Sequence, residues 1–204
     1  MFKAVAYPIL KSNVVTIGPA GHGKTTLTAA LIRCSAENYS SSVNSSSDSS
    51  ISIEDKARLA ANSTSPVSYD SESCRYSHLD CAGDAEQIKN TLTKAAKIDG
   101  AILVYSVVDW TEEQTIEYLN LCKQLGVEHI VVFLNKAELQ EDFEQCESIE
   151  MQIRDLLDVH GFKADDPTFA LGSALKALKG EEGEFGTDAV LNLFKVMART
   201  IPSS

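Results

Sequence analysis

Apolar positions along this chain fall into two rhythms. Short, nearly continuous apolar runs occupy residues 13–17, 101–105, 129–134 and 169–171. Runs of that length, most of them rich in Val and Ile, read as strands buried on both faces. Between them lie stretches with the three-to-four-residue period of one helix face. These predict helices over residues 25–33, 85–97, 112–125, 143–160 and 189–200. In the second, Ile88, Leu92 and Ala95-Ala96 share a face; in the fourth, Met151, Ile153, Leu156 and Leu157 are the apolar positions. Gly100, Gly126, Gly161 and Pro202 mark breaks and ends. Residues 67–69 and 75–80 read as two strands that pair as a hairpin around 70–74. A partial helix is expected over 53–61. Residues 1–11 read as an arm into the first strand. The stretch 38–52 is dominated by serine, with few apolar residues and almost no charge, and is expected to be mobile. The alternation predicts one α/β domain over 1–204: a mostly parallel six-stranded sheet with helices on both faces.

One motif gives this pattern chemistry. Gly18-Pro19-Ala20-Gly21-His22-Gly23-Lys24-Thr25 fits G-x-x-x-x-G-K-[ST], the phosphate-binding loop. It follows a predicted strand and opens a predicted helix, which is the context the motif requires. Its glycines let the backbone wrap an anion, and the helix N-terminus adds positive potential. Lys24 is placed to reach β- and γ-phosphates, and the Thr25 hydroxyl to ligate Mg²⁺. Thr26 continues the first helical turn.

Composition limits the partners. The net charge is −11, which argues against a broad nucleic-acid-binding face and against DNA as a partner. The five cysteines at 34, 74, 81, 122 and 146 have no C-x-x-C spacing and read as free thiols of a reducing, cytoplasmic compartment. No apolar run is long enough to span a membrane, and the first residues are too weakly apolar for a secretory signal.

Further motifs stand at predicted strand ends: Asp80-Cys81-Ala82-Gly83, Asn135-Lys136-Ala137-Glu138 and Ser173-Ala174-Leu175-Lys176. The first suits Mg²⁺ through Asp80 and a γ-phosphate through the Gly83 N–H; the others suit a base. Together with the loop, these resemble the GTP-binding domain of elongation factor Tu. The resemblance also runs through Lys56-Ala57-Arg58, Asp99-Gly100-Ala101-Ile102-Leu103-Val104 and Val131-Val132-Phe133-Leu134, and covers nearly the whole chain. It implies a P-loop GTPase fold that binds GTP or GDP with Mg²⁺. Gly18, Gly21, His22, Gly23, Lys24, Thr25, Thr26 and Gly83 would cradle phosphates. Thr25 and Asp80 would hold the metal. Asn135, Lys136, Glu138, Ser173, Ala174 and Leu175 would hold guanine. The family's β-barrel domains have no counterpart in this sequence, so transfer-RNA carriage is not expected. An exchange factor or the ribosome remains as partner.

Departures from the family fall on catalysis. Asp84 stands where the resemblance implies a water-positioning histidine. A carboxylate there adds negative charge beside the γ-phosphate, whereas phosphoryl transfer needs positive electrostatics. Leu59, Ala60 and Ala61 stand where the family has Gly, Ile and the Mg²⁺-ligating Thr; Ala61 has no side-chain oxygen. Ala20 and Gly21 replace Val and Asp, and Glu138 replaces a guanine-reading Asp with one more methylene. His22 reads as structural, Gln114 as a helix-surface residue, Trp110 as partly buried, and Asp109 as needing no special role. Three readings stay open: a nucleotide-binding domain poor in hydrolysis, a pseudo-GTPase interaction module of the translation machinery, and a working GTPase with Asp84 positioning water.

Overall fold

The computed structural model describes residues 10–39, 52–62, 65–81, 85–93, 97–163 and 168–203. Its sheet has six strands in the order β2-β3-β1-β4-β5-β6. These are β1 Leu10–Ile17, β2 Val67–Asp70, β3 Cys74–Asp80, β4 Gly100–Ser106, β5 Ile130–Asn135 and β6 Phe169–Leu171. All neighbours run parallel except β2, which pairs antiparallel with β3. The expected hairpin is therefore present, with Tyr69 opposite Tyr76. The central strands β4 and β5 are buried at every residue, as continuous apolar runs require when helices cover both faces.

Helices α1 Lys24–Asn38, α2 Ile53–Ala61, α6 Ala174–Lys179 and α7 Thr187–Thr200 pack around one apolar cluster. Helices α3 Ala85–Leu92, α4 Glu112–Gln124 and α5 Phe143–Val159 pack around the other. The first cluster takes Val14, Ile102, Val104, Val131 and Phe133 from the sheet, and the second takes Val15, Ile17, Leu103, Tyr105 and Val132. Successive strand residues thus feed opposite layers, as the pleat dictates.

Several expectations are corrected. β1 begins at Leu10 rather than residue 13, because Leu10, Lys11 and Ser12 pair with Cys74, Arg75 and Tyr76 of β3. Strand pairing overrides the polar character of that stretch. Helix α1 runs to Asn38, past the expected end at residue 33, because Leu31, Ile32, Cys34 and Ser35 continue its buried face. The helix expected over 85–97 ends at Leu92, and Lys97, Ile98 and Asp99, in neither helix nor strand, lead into β4. The backbone N–H of Asp99 bonds to Asn13 O, and the Asp99 carboxylate accepts from the Asn13 N–H. Gly100 therefore opens β4 instead of merely breaking a helix. Met151 is 66% exposed, whereas Ile153 and Leu157 carry the buried face of α5. The short helix α6 carries no periodic signal of its own. Ser173 starts it by accepting the Lys176 N–H on Oγ at 3.2 Å, and Gly180 closes it in the left-handed region.

The serine-rich segment falls largely outside the described residues, and so do most of the expected arm and Ala95-Ala96. Its last residue is described: Ser52 caps α2, accepting the Asp55 N–H at 3.1 Å. The expected helix over 53–61 matches α2. Among the described residues all five cysteines are free and buried, no group of His, Cys, Asp or Glu is arranged as a metal cluster, and no helix is long and apolar enough to cross a membrane.

Candidate functional site

The parallel strands deliver their carboxyl ends to one edge of the sheet, where ligands of such folds bind. β1 runs into the glycine loop. Gly18 passes so close to β4 that a Cβ there would lie 2.4 Å from the Val104 carbonyl oxygen, and its φ is +143°. Gly23, at φ +94°, leaves room for the Asn135 amide, which a Cβ would approach to 2.3 Å. Gly21 is the third loop residue with positive φ. α1 begins at Lys24 without a side-chain cap, so its first N–H groups point toward the loop and are free for an anion. Thr26 lies half-buried in that first turn.

The Lys24 ammonium is buried and donates to the carbonyls of Gly18 at 2.7 Å and Pro19 at 2.9 Å. Burial pulls its pKa down, while the Asp80 carboxylate opposes that shift. At the end of β3, Asp80 accepts the Thr25 hydroxyl at 2.5 Å on Oδ2 and the Thr28 hydroxyl at 3.3 Å on Oδ1. Burial raises the Asp80 pKa, and both hydroxyls and Lys24 lower it. Thr25, Asp80 and Lys24 are therefore brought together, as the sequence suggested. The hydroxyl and carboxylate oxygens are hard donors suited to Mg²⁺.

His22 is structural. It is 4% exposed, its Nδ1 accepts the Ser106 N–H at 3.0 Å, and its ring meets Tyr105 edge-on. Burial, then the Lys136 charge, hold its pKa at about 4. The imidazole is neutral near pH 7, as an Nδ1 acceptor must be.

Asn135 is a cross-tie. Its Nδ2 donates to His22 O at 2.9 Å, and its Oδ1 accepts the Ala174 N–H at 2.9 Å. It joins the phosphate loop to the Ser173-Ala174 turn, where Ser173 is buried and half-exposed Leu175 opens outward. Lys136 has φ +63°, the single non-glycine positive φ among the described residues. Such a backbone costs on the order of 1–2 kcal/mol and marks functional turns. Its ammonium pairs with Asp109 Oδ2 at 2.9 Å. Asp109 also accepts the Ser106 hydroxyl at 2.8 Å. The Lys136 hydrogen bond, followed by that of Ser106, lowers the Asp109 pKa. Asp109 thus has the role denied to it on sequence, as the anchor of Lys136; its place just beyond the end of β4 was the available signal. Glu138 sits in the 3₁₀ turn Ala137–Leu139. Among the described residues its Oε2 is buried with no hydrogen-bond partner. Gln114 is half-buried and not a simple surface residue, and its Oε1 is likewise buried without a partner among the described residues. Trp110 is half-buried and donates Nε1–H to Thr115 at 2.8 Å.

Gly83 and Asp84 lie outside the described residues. Ala61 is 2% exposed within the first core cluster, on the inner face of α2. A cleft of about 790 Å³ at the amino ends of β5 and β6 is lined by Lys123 and Arg199. Both stand in last helical turns, where cations complement free carbonyls, and the cleft lies at the sheet edge opposite the glycine loop.

The loop, the Thr25–Asp80 pair and the Asn135 turn occupy one edge in the order and spacing of a nucleotide site. The family model described as elongation factor Tu GTP binding domain matches residues 11–203. The chain belongs to the elongation factor Tu GTP-binding domain family, and it is a nucleotide-binding protein of the P-loop GTPase fold.

Proposed function

We propose that this chain acts as one domain that binds GDP and GTP with Mg²⁺ and hydrolyses GTP slowly or not at all. The observation that carries this reading is the Thr25–Asp80 contact at 2.5 Å beside the Lys24 ammonium on a glycine loop. Thr25 and Asp80 would hold the ion, which neutralises phosphate charge when bound. Lys24 would exchange its loop carbonyls for phosphate oxygens. The buried, unpartnered Glu138 Oε2 suits the N–H donors of a guanine edge, since a buried carboxylate oxygen without a donor is costly.

The expectation of weak hydrolysis rests on two positions. Asp84 brings a negative charge where transition-state charge must be neutralised. Ala61 brings no oxygen, and its helix buries it in the apolar core. The domain would serve protein biosynthesis in the cytoplasm, with an exchange factor or the ribosome as partner.

The test is isothermal titration of nucleotide-stripped protein with GDP, GTP and ADP, with and without Mg²⁺. Tight Mg²⁺-dependent GDP binding with little response to ADP supports the reading. A folded protein that binds none of the three overturns it and favours the second reading, a pseudo-GTPase that uses its surface alone; the burial of Ala61 is the observation on that side. Multiple-turnover phosphate release that collapses in Asp84→Ala would instead assign water positioning to Asp84.

A further inference from the structure

A buried row of polar side chains leads from the hairpin to the proposed metal site. The Tyr69 hydroxyl lies 2.7 Å from His78 Nδ1. His78 Nε2 is hydrogen-bonded to Thr16 Oγ1. Thr16 Oγ1 lies 3.3 Å from Thr28 Oγ1, which lies 3.3 Å from Asp80 Oδ1. Tyr69, His78, Thr16 and Thr28 are each at most 1% exposed. Such a group of polar side chains in an apolar layer needs every partner to be satisfied.

The direction of the row follows from its end. A carboxylate only accepts, so Thr28 donates to Asp80, sharing its one proton with the Lys24 carbonyl 3.2 Å away. Thr16 then donates to Thr28, His78 donates Nε2–H to Thr16, and Tyr69 donates its O–H to His78 Nδ1. Every hydroxyl gives one proton and receives one, apart from Tyr69 at the head. This arrangement needs a neutral imidazole, with Nδ1 accepting from Tyr69 and Nε2–H donating to Thr16.

We infer that Thr28, Thr16, His78 and Tyr69 are positioning residues that orient the Asp80 carboxylate for a divalent cation, so that the β2–β3 hairpin and the metal site share one set of hydrogen bonds. The inference rests on the proposed Mg²⁺-nucleotide site. Aligned donors polarise one another, and they hold Asp80 Oδ1 so that Oδ2 meets Thr25. Outer partners of metal ligands commonly set affinity in this way.

The test compares GDP affinity in saturating Mg²⁺ and in EDTA for wild type, Thr28→Val, Thr28→Ser and Tyr69→Phe, with thermal melts alongside. Thr28→Val keeps the shape and loses the donor. It is expected to weaken the Mg²⁺-dependent part of binding about 10- to 100-fold, with EDTA affinity within about twofold. Thr28→Ser is expected to restore it, and Tyr69→Phe to show a smaller loss of the same sign. Equal losses with and without Mg²⁺, or no loss in either, overturn the inference while leaving the nucleotide site standing. A wild type without Mg²⁺-dependent GDP binding overturns both.

Discussion

Asn135 and His22 are joined across the site: the Asn135 amide donates to the His22 carbonyl at 2.9 Å, under a glycine whose Cβ would fill the same space. The other end of that amide accepts the Ala174 N–H. One side chain therefore sets the spacing between the phosphate loop and the turn after β6. Asn135→Ala leaves two buried backbone groups unpaired, each worth about 1–3 kcal/mol. We expect a loss of roughly 2–6 kcal/mol in urea unfolding and a fall in GDP affinity. Unchanged stability would show that this tie is dispensable.

Glu138 should read the guanine edge. Glu138→Gln exchanges a carboxylate oxygen for an amide donor and removes the charge. GDP affinity is expected to fall about 5- to 150-fold, and the preference for GDP over inosine diphosphate, which lacks the exocyclic amine, should shrink. Competition titration measures both. Equal affinities of the wild type for the two nucleotides would sink the assignment.

Restoring the family's threonine should not restore a switch. Ala61 is buried against α1 and the core in α2, so Ala61→Thr introduces a hydroxyl into an apolar layer. The expected cost is about 1–3 kcal/mol, read from thermal melts, with the GTP-to-GDP affinity ratio unchanged. A rise in that ratio would mean that α2 unwinds to deliver residue 61 to the metal.

Acid should destabilise the fold. Burial holds His22 at about 4 and His78 at about 3, both below the ordinary 6.5. Between 6.5 and those values the unfolded chain binds more protons than the folded one, so stability falls as pH falls. Each histidine contributes a slope of at most about 1.4 kcal/mol per pH unit. Asp80, raised by burial, works in the opposite sense as pH falls through its own range. The urea midpoint should drop between pH 7 and pH 5, and His22→Gln should remove about half of that slope. A pH-independent midpoint contradicts the neutral, buried assignment of both rings.

The thiols should be silent in the folded state. Burial pushes Cys34, Cys81 and Cys122 to about 12 and also raises Cys74 and Cys146. Thiolate is the reactive form. An aromatic disulfide reagent at pH 8 should modify all five only on addition of denaturant. Fast reaction of any one in buffer would show that it is accessible.

Much of the site was readable from local chemistry. The glycine loop, Lys24 and Thr25 announce themselves within eight residues, because the backbone turn, the cation and the hydroxyl are all built locally. Asp80, Asn135 and Ser173 were placed by following apolar runs to their ends, since a parallel sheet delivers those ends to one edge. The helix over 53–61 was legible in the same way, but not that its buried face packs Ala61 into the apolar core. Asp109 was passed over because a carboxylate in a loop looks the same alone as it does when anchoring a lysine 27 residues away.

The alternation of short apolar runs and periodic helices determined an α/β sheet, and the order of motifs determined which edge carries the glycine loop. Register belonged to the tertiary structure. Thr16 pairs with Asp80 and Val14 with His78 across β1 and β3, which puts Thr16, His78 and Asp80 on the α1 face in one row. A slip by one residue would turn His78 into the other layer. Sequence periodicity states that a strand has two faces. Which polar groups meet on a face depends on pairing between segments about 60 residues apart, and such pairing is set by the packing of the whole sheet.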